Sequence, residues 1–175
     1  GSVCGIAPGG VPAYSCDYNT LNIFEILSHG TSIFRHQYDN FYYGVKYQCV
    51  EFSRRWLIHV HGVTFGDVGM AYEIFDLLNA TRIRDGSRVP WTNVPNGSSI
   101  RPVPGSVLIW DEGGEFRHTG HVAIVTEVSD NWVRVAEQNV EDAFWPEGRD
   151  YARELVAEYN QANDSFYIHE SLWDR

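Results

Sequence analysis

Cys49, His121, Glu137 and Asn139 are the residues of this chain whose types and order suit thiol-dependent hydrolysis. Cys49 follows Gly44-Val-Lys-Tyr-Gln48 and opens a run in which Phe52, Ser53, Trp56, Leu57 and Val60 recur at helical spacing. Gly62 is the natural C-cap, with His59 and His61 in the last turn. The spacing therefore puts Cys49 at the start of a helix, where free N–H groups and the macrodipole favour a thiolate. Gln48, just before it, supplies an amide able to donate to an oxyanion. A single Cys on an apolar helix face is also the pattern of a small buried hydrophobe. The reading as a nucleophile needs a base and an orienting group.

Those partners come from a strand pattern. His121-Val-Ala-Ile-Val-Thr-Glu-Val128 and Trp132-Val-Arg-Val-Ala-Glu-Gln-Asn139 are joined by the turn signal Ser129-Asp-Asn131. Alternation puts His121, Ala123 and Val125 on one side, and Val133, Val135, Glu137 and Asn139 on one side of the next strand. The hairpin register then sets His121 opposite Asn139 to within a residue or two, with Glu137 close by. Cys49, His121 and the carboxylate or amide follow in the chain order of papain-like enzymes. The plainer alternative is a surface histidine at a hairpin end beside a polar neighbour.

The remaining elements must carry this group. Residues 1–18 read as an irregular arm with turn chemistry at Ala7-Pro-Gly-Gly-Val-Pro12. Residues 20–29 suggest a short helix stopped by Gly30, and residues 31–43 are ambiguous. A second helix is expected from Asp67, as N-cap, to about Leu78. Residues 84–105 hold four of the seven prolines and read as a long surface loop. Strands are expected at 106–110, 121–128, 132–139 and 165–169. Helices first and antiparallel strands later give an α+β chain, with N-terminal helices packed on a sheet.

Composition narrows the classes. The 175 residues are enough for a single domain spanning 1–175 with its own core. Residues 1–18 form its arm and 166–175 its last strand and tail. A formal charge of −10 argues against a nucleic-acid partner. No apolar run is long enough to cross a bilayer, so no membrane partner is expected. Cys4, Cys16 and Cys49 form no zinc spacing, and an odd, sparse count fits free thiols in a reducing, cytoplasmic compartment. His118-Thr-Gly-His121 has a metal-like spacing without further ligands, so neither a metal nor a cofactor is expected. The start at Gly1-Ser2, without Met, reads as a cleavage scar.

Several stretches resemble one family: Ala7-Pro-Gly-Gly-Val11, Tyr47-Gln-Cys-Val-Glu-Phe52, Asp67-Val-Gly-Met-Ala-Tyr-Glu-Ile-Phe75, Pro95-Asn-Gly-Ser98, Leu108-Ile-Trp-Asp111, Gly113-Gly-Glu-Phe116, Thr119-Gly-His-Val-Ala-Ile124 and Ala136-Glu-Gln-Asn-Val140. In order and content they are similar to the amidase domain of glutathionylspermidine and trypanothione synthetase/amidases. That domain belongs to the CHAP group of papain-like cysteine amidases, related to the NlpC/P60 type. The resemblance implies a papain-like fold and hydrolysis of the amide between glutathione and a polyamine. By the same resemblance Cys49 is the nucleophile, His121 the base and Glu137 the group that holds the imidazole. Asn139 would orient His121 or bind the oxyanion, with Gln48 and the Cys49 N–H as the oxyanion donors. Arg54 would pair with a glutathione carboxylate, or with Glu51 at helical spacing, and Asp67 would contact the polyamine or cap a helix. Family members of this kind carry a C-terminal ATP-grasp synthetase, which is absent from this chain, so it reads as an excised domain or a stand-alone relative. Two rival readings are a cell-wall muropeptide amidase or endopeptidase, and a non-catalytic binding or regulatory module.

Overall fold

A computed structural model describes residues 1–16, 35–38 and 41–169. Along the chain run β1 (Val3–Ala7), β2 (Val11–Tyr14), β3 (Arg35–Tyr38), β4 (Phe41–Val45), helix α1 (Cys49–His61) and β5 (Val63–Thr64). A 3₁₀ turn at Ala71–Asp76 leads to β6 (Asn79–Arg82), β7 (Arg88–Pro90) and β8 (Val107–Trp110). A second 3₁₀ turn at Gly114–Phe116 precedes β9 (His121–Val128), β10 (Trp132–Ala136), β11 (Arg153–Asn160) and β12 (Ser165–Ile168). Five strands form one antiparallel sheet in the order β12-β11-β10-β9-β8. The mixture is one α-helix with antiparallel sheets among the described residues.

Alternation along β9 divides the core. Val122 and Ile124 face α1, where they meet Phe52, Trp56 and Leu57 together with Ala136 and Ile74. Ala123 and Val125 face the other way, onto Val133, Val135, Leu155, Ala157, Phe166 and Ile168. Burying each large α1 side chain is worth about 1.5–3 kcal/mol, so the stripe read from the sequence is what seats the helix. Gly62 caps α1 at φ +63°, returning its N–H to the Ile58 and Leu57 carbonyls.

Both outer strands of the sheet line one cavity of about 200 Å³, between Leu108–Trp110 and Tyr167–His169, so the sheet curls strongly. The free edge of β12 is covered by residues 96–98. Gly97 N–H donates to the Phe166 carbonyl and Phe166 N–H to that of Ser98, both at 2.9 Å. The Asn96 amide donates to the Ile168 carbonyl and accepts from its N–H, each at 2.8 Å.

Four sequence expectations need correction. Residues 1–18 are not an irregular arm over their described part: β1 and β2 pair as a hairpin around Pro8-Gly9-Gly10. Its carbonyls are used by α1, with Arg55 donating to Pro12 O at 2.7 Å and Trp56 Nε1 to Pro8 O at 2.9 Å. The expected helix from Asp67 to Leu78 is only the 3₁₀ turn Ala71–Asp76. There the Glu73 carboxylate, not Asp67, receives the Gly69 and Met70 N–H groups, and Ala71 N–H leaves for the Thr119 carbonyl at 2.9 Å. The 84–105 loop contains β7, paired with β6. β10 stops at Ala136, three residues early, after a bulge between Arg134 and Val135. Of the expected N-terminal helices, α1 alone is an α-helix among the described residues. The one read at 20–29 lies outside them, as does the tail from 170.

Candidate active site

Tyr47 carries the chain from β4 into α1 at φ +66°, a left-handed conformation that a tyrosine adopts only under constraint. Gln48 is then the N-cap, its carbonyl receiving the Phe52 N–H at 3.1 Å. Cys49 becomes the first residue of the helix and is 8% exposed. Its sulfur stands at the helix end where unpaired N–H groups collect.

His121 enters through a comparable turn. Gly120 holds φ +61°, and a Cβ there would lie 2.4 Å from the Trp110 carbonyl oxygen, so only glycine lets β8 and the head of β9 meet this closely. The imidazole is buried, with Phe116 stacked on it and Trp110 beside it at 5.3 Å between centroids. His121 Nε2 and Glu137 Oε2 share a hydrogen bond of 2.8 Å. This leaves Nδ1 for the thiol. Glu137, equally buried, is gripped from its other side by Arg153, whose Nε donates to Oε1 and whose Nη2 donates to Oε2 at 3.0 Å.

The electrostatics follow from these contacts. Burial works against a charged His121, but the charge and hydrogen bond of the Cys49 sulfur and those of the Glu137 carboxylate outweigh it, raising the imidazole to about 9. Burial likewise pushes Glu137 up, yet the hydrogen bond from His121 and the charges of Arg153 and His121 hold it below the usual carboxylate value. A histidine that keeps its proton at neutral pH beside a sulfur can protonate a leaving group, and a carboxylate fixed on its far nitrogen sets its tautomer.

Beside the head of α1 lies a buried polar network. The Gln138 amide donates to the Gln48 carbonyl at 3.1 Å and to Glu51 Oε2 at 2.8 Å, and accepts the Tyr14 N–H at 2.7 Å. Arg55 donates to Glu51 Oε1 at 2.6 Å. The hairpin, the helix start and the segment beyond β10 are thereby tied at one point.

The structure brings Cys49, His121 and Glu137 together. It places Asn139, at φ +71°, against Gln48, donating to its Oε1 at 3.2 Å, while His121 Nε2 is on Glu137. The Gln48 amide nitrogen lies 3.7 Å from the Cys16 sulfur. Arg54 is buried, donating to the carbonyls of Tyr43 at 2.7 Å and Gly66 at 3.0 Å. Its ion pair is with Asp67 at 3.5 Å, and it is Arg55 that pairs with Glu51. Sequence reasoning overlooked Arg153, Phe116 and Gln138. Arg153 heads β11, whose alternation of Leu155 and Ala157 inward with Glu154, Val156 and Glu158 outward is itself a legible strand signal. Among the described residues no group of three or more His, Cys, Asp or Glu side chains could hold a metal ion. No helix among them is long and apolar enough to cross a membrane.

Comparison with known proteins gives a family and relatives. The CHAP domain matches residues 37–139. The chain is 48% identical over 155 residues to the bifunctional glutathionylspermidine synthetase/amidase of Escherichia coli (strain K12), covering 89% of this chain and 25% of that protein. It is 37% identical over 155 residues to the trypanothione synthetase of Crithidia fasciculata, covering 89% and 22%. It is 39% identical over 123 residues to the glutathionylspermidine synthase of the same organism, covering 69% and 17%. The chain thus spans a quarter or less of the length of these relatives.

Proposed function

We propose that this chain, which belongs to the CHAP domain family, is a papain-like cysteine amidase that hydrolyses the amide joining glutathione to a polyamine. The observation that carries the reading is the buried His121–Glu137 hydrogen bond of 2.8 Å beside the sulfur at the head of α1. The similarity to a bifunctional synthetase/amidase supports the choice of amide.

Cys49 Sγ attacks the carbonyl carbon, and the oxygen becomes an oxyanion received by the Cys49 N–H and the Gln48 amide. A sulfur is a weak acceptor, so the Gln48 amide loses little in turning from Cys16 toward the oxyanion. Collapse breaks the C–N bond as His121 passes its proton to the departing amine, leaving a thioester. Water then attacks the thioester carbon and yields its proton to His121. The glutathione carboxylate leaves, and the sulfur regains its starting state. Glu137 holds the imidazole throughout. Arg54 has a structural alternative to substrate binding in its contacts with two backbone carbonyls and Asp67.

Incubation with glutathionylspermidine followed by mass spectrometry tests the reading. Glutathione and spermidine should appear, and Cys49→Ala should abolish both. Faster release of peptides from muropeptides than of spermidine from its conjugate would overturn it, as would turnover by the Cys49→Ala protein.

A further inference from the structure

Arg153 meets the carboxylate of Glu137 through two nitrogens, Nε on Oε1 and Nη2 on Oε2 at 3.0 Å, while Oε2 also meets His121 Nε2 at 2.8 Å. A planar guanidinium forked on a carboxylate fixes its plane as well as its charge. The Arg153 side chain is itself only 17% exposed and lies against the Trp110 ring, 5.7 Å from guanidinium carbon to centroid. Trp110 in turn flanks His121. Oε2 is shared with β9 through His121, and both oxygens are held by β11 through Arg153.

We propose that Arg153 is a positioning residue of the hydrolytic site: it acts through Glu137, aiming that carboxylate at His121 and tempering its negative charge. The proposal rests on the reading of Cys49, His121 and Glu137 as the working group. Without Arg153 the plane of the carboxylate would no longer be fixed, and its charge, no longer shared with a guanidinium, would act in full on the imidazole it still adjoins, a net upward pull on the His121 titration. Arg153 therefore keeps His121 oriented, and it keeps the imidazole from holding its proton too tightly to release it.

The charged and titratable groups around this centre are few. His121 comes from β9 and Cys49 from α1. Across the cavity of about 200 Å³ that Glu137 and Arg153 share lie Cys4, Tyr14, Glu141 and Asp142. Behind Gln138 stands the Arg55–Glu51 pair, whose charges offset each other. Among the described residues lining the cavity Arg153 is the only arginine or lysine, so its removal makes that lining more negative.

The experiment combines NMR titration of His121 with steady-state hydrolysis of glutathionylspermidine by Arg153→Met and Arg153→Lys, each in the native and the Glu137→Gln background. In the native background, Arg153→Met should move the His121 titration to higher pH and lower kcat roughly tenfold or more with KM little changed. Arg153→Lys, which restores the charge but not the fork, should return the titration toward native while recovering only part of kcat. In the Glu137→Gln background Arg153→Met should cost nothing further, because its effect passes through the carboxylate. An unmoved His121 titration in folded Arg153→Met, or an equal kcat loss in both backgrounds, overturns the proposal. Native kcat in Glu137→Gln alone overturns the catalytic reading and this inference with it. That result is told apart from a failure of Arg153 by the titration, which does not depend on turnover. If the Met variant does not fold, Arg153→Gln replaces it with a polar side chain and the same expected shift.

Discussion

Phe116 lies flat on His121, ring centroids 4.5 Å apart and planes 13° from parallel. Its position is set by the short 3₁₀ turn Gly114–Phe116, which folds a charged loop back over the head of β9. An aromatic face favours a cation above it by about 1 kcal/mol or somewhat more when water is excluded. Phe116→Leu should therefore lower the His121 pKa by up to roughly one unit, leaving the Glu137 hydrogen bond in place. NMR titration of the imidazole checks this, and an unchanged titration would show that the stacking is only steric.

The same histidine makes stability depend on pH. Its pKa is raised on folding from about 6.5 to about 9. The stabilisation it contributes is fully present below the unfolded value and fades as pH climbs through the folded one. Glu137 is lowered by folding, so its contribution is present above its unfolded value of 4.5 and is lost as pH falls through the folded one. Denaturant midpoints should fall between pH 6.5 and 9, and this slope should flatten in His121→Gln. A slope that survives that substitution would locate the alkaline loss elsewhere.

Glu137 and Asn139 can be separated. With Glu137 on His121 and Asn139 on Gln48, Glu137→Gln should cost on the order of tenfold to ten-thousand-fold in kcat. Asn139→Ala removes a support of the proposed oxyanion donor and should cost less, on the order of tenfold to a hundredfold. If Asn139→Ala proves the more damaging under matched conditions, the two roles are exchanged.

Arg54 tests structure against substrate binding. Burial makes its charge costly and lowers its pKa, with Asp67 the main charge working the other way. Arg54→Met strands the Tyr43 and Gly66 carbonyls and should lower unfolding free energy by about 2–4 kcal/mol, measured by urea titration. Unchanged stability with a raised KM would instead return Arg54 to the substrate.

The parts of the fold that were legible share a cause. The α1 stripe, its Gly62 cap and the alternation of β9 and β10 are local patterns enforced by a core on a known side. The helix expected from Asp67 failed because Gly69 and a Glu73 carboxylate offered a tighter turn, and because Ala71 N–H found a partner on Thr119. The β1–β2 hairpin was hidden for a related reason, since what makes it ordered is its use by Arg55, Trp56 and Gln138 far along the chain. At the site, residue types pointed to Cys49 and His121 with Glu137 or Asn139 as the third partner, and the family resemblance chose Glu137, the one that stands on His121. Arg153 was invisible because nothing local distinguishes an arginine that ends on a carboxylate sixteen residues back.

Asn96 carries a chemical consequence of its place on the β12 edge. An asparagine followed by glycine is the peptide link most prone to deamidation, since the next backbone nitrogen can attack the side-chain carbonyl and close a succinimide. Here that nitrogen is already donating to the Phe166 carbonyl, and the side-chain amide is held at both ends by Ile168. The fold thus shields its weakest link from ageing for as long as the edge stays covered. Once deamidated, the side chain could no longer donate to Ile168, and an open strand edge would invite pairing with another molecule. Slow loss of the native protein on storage would then begin at Asn96.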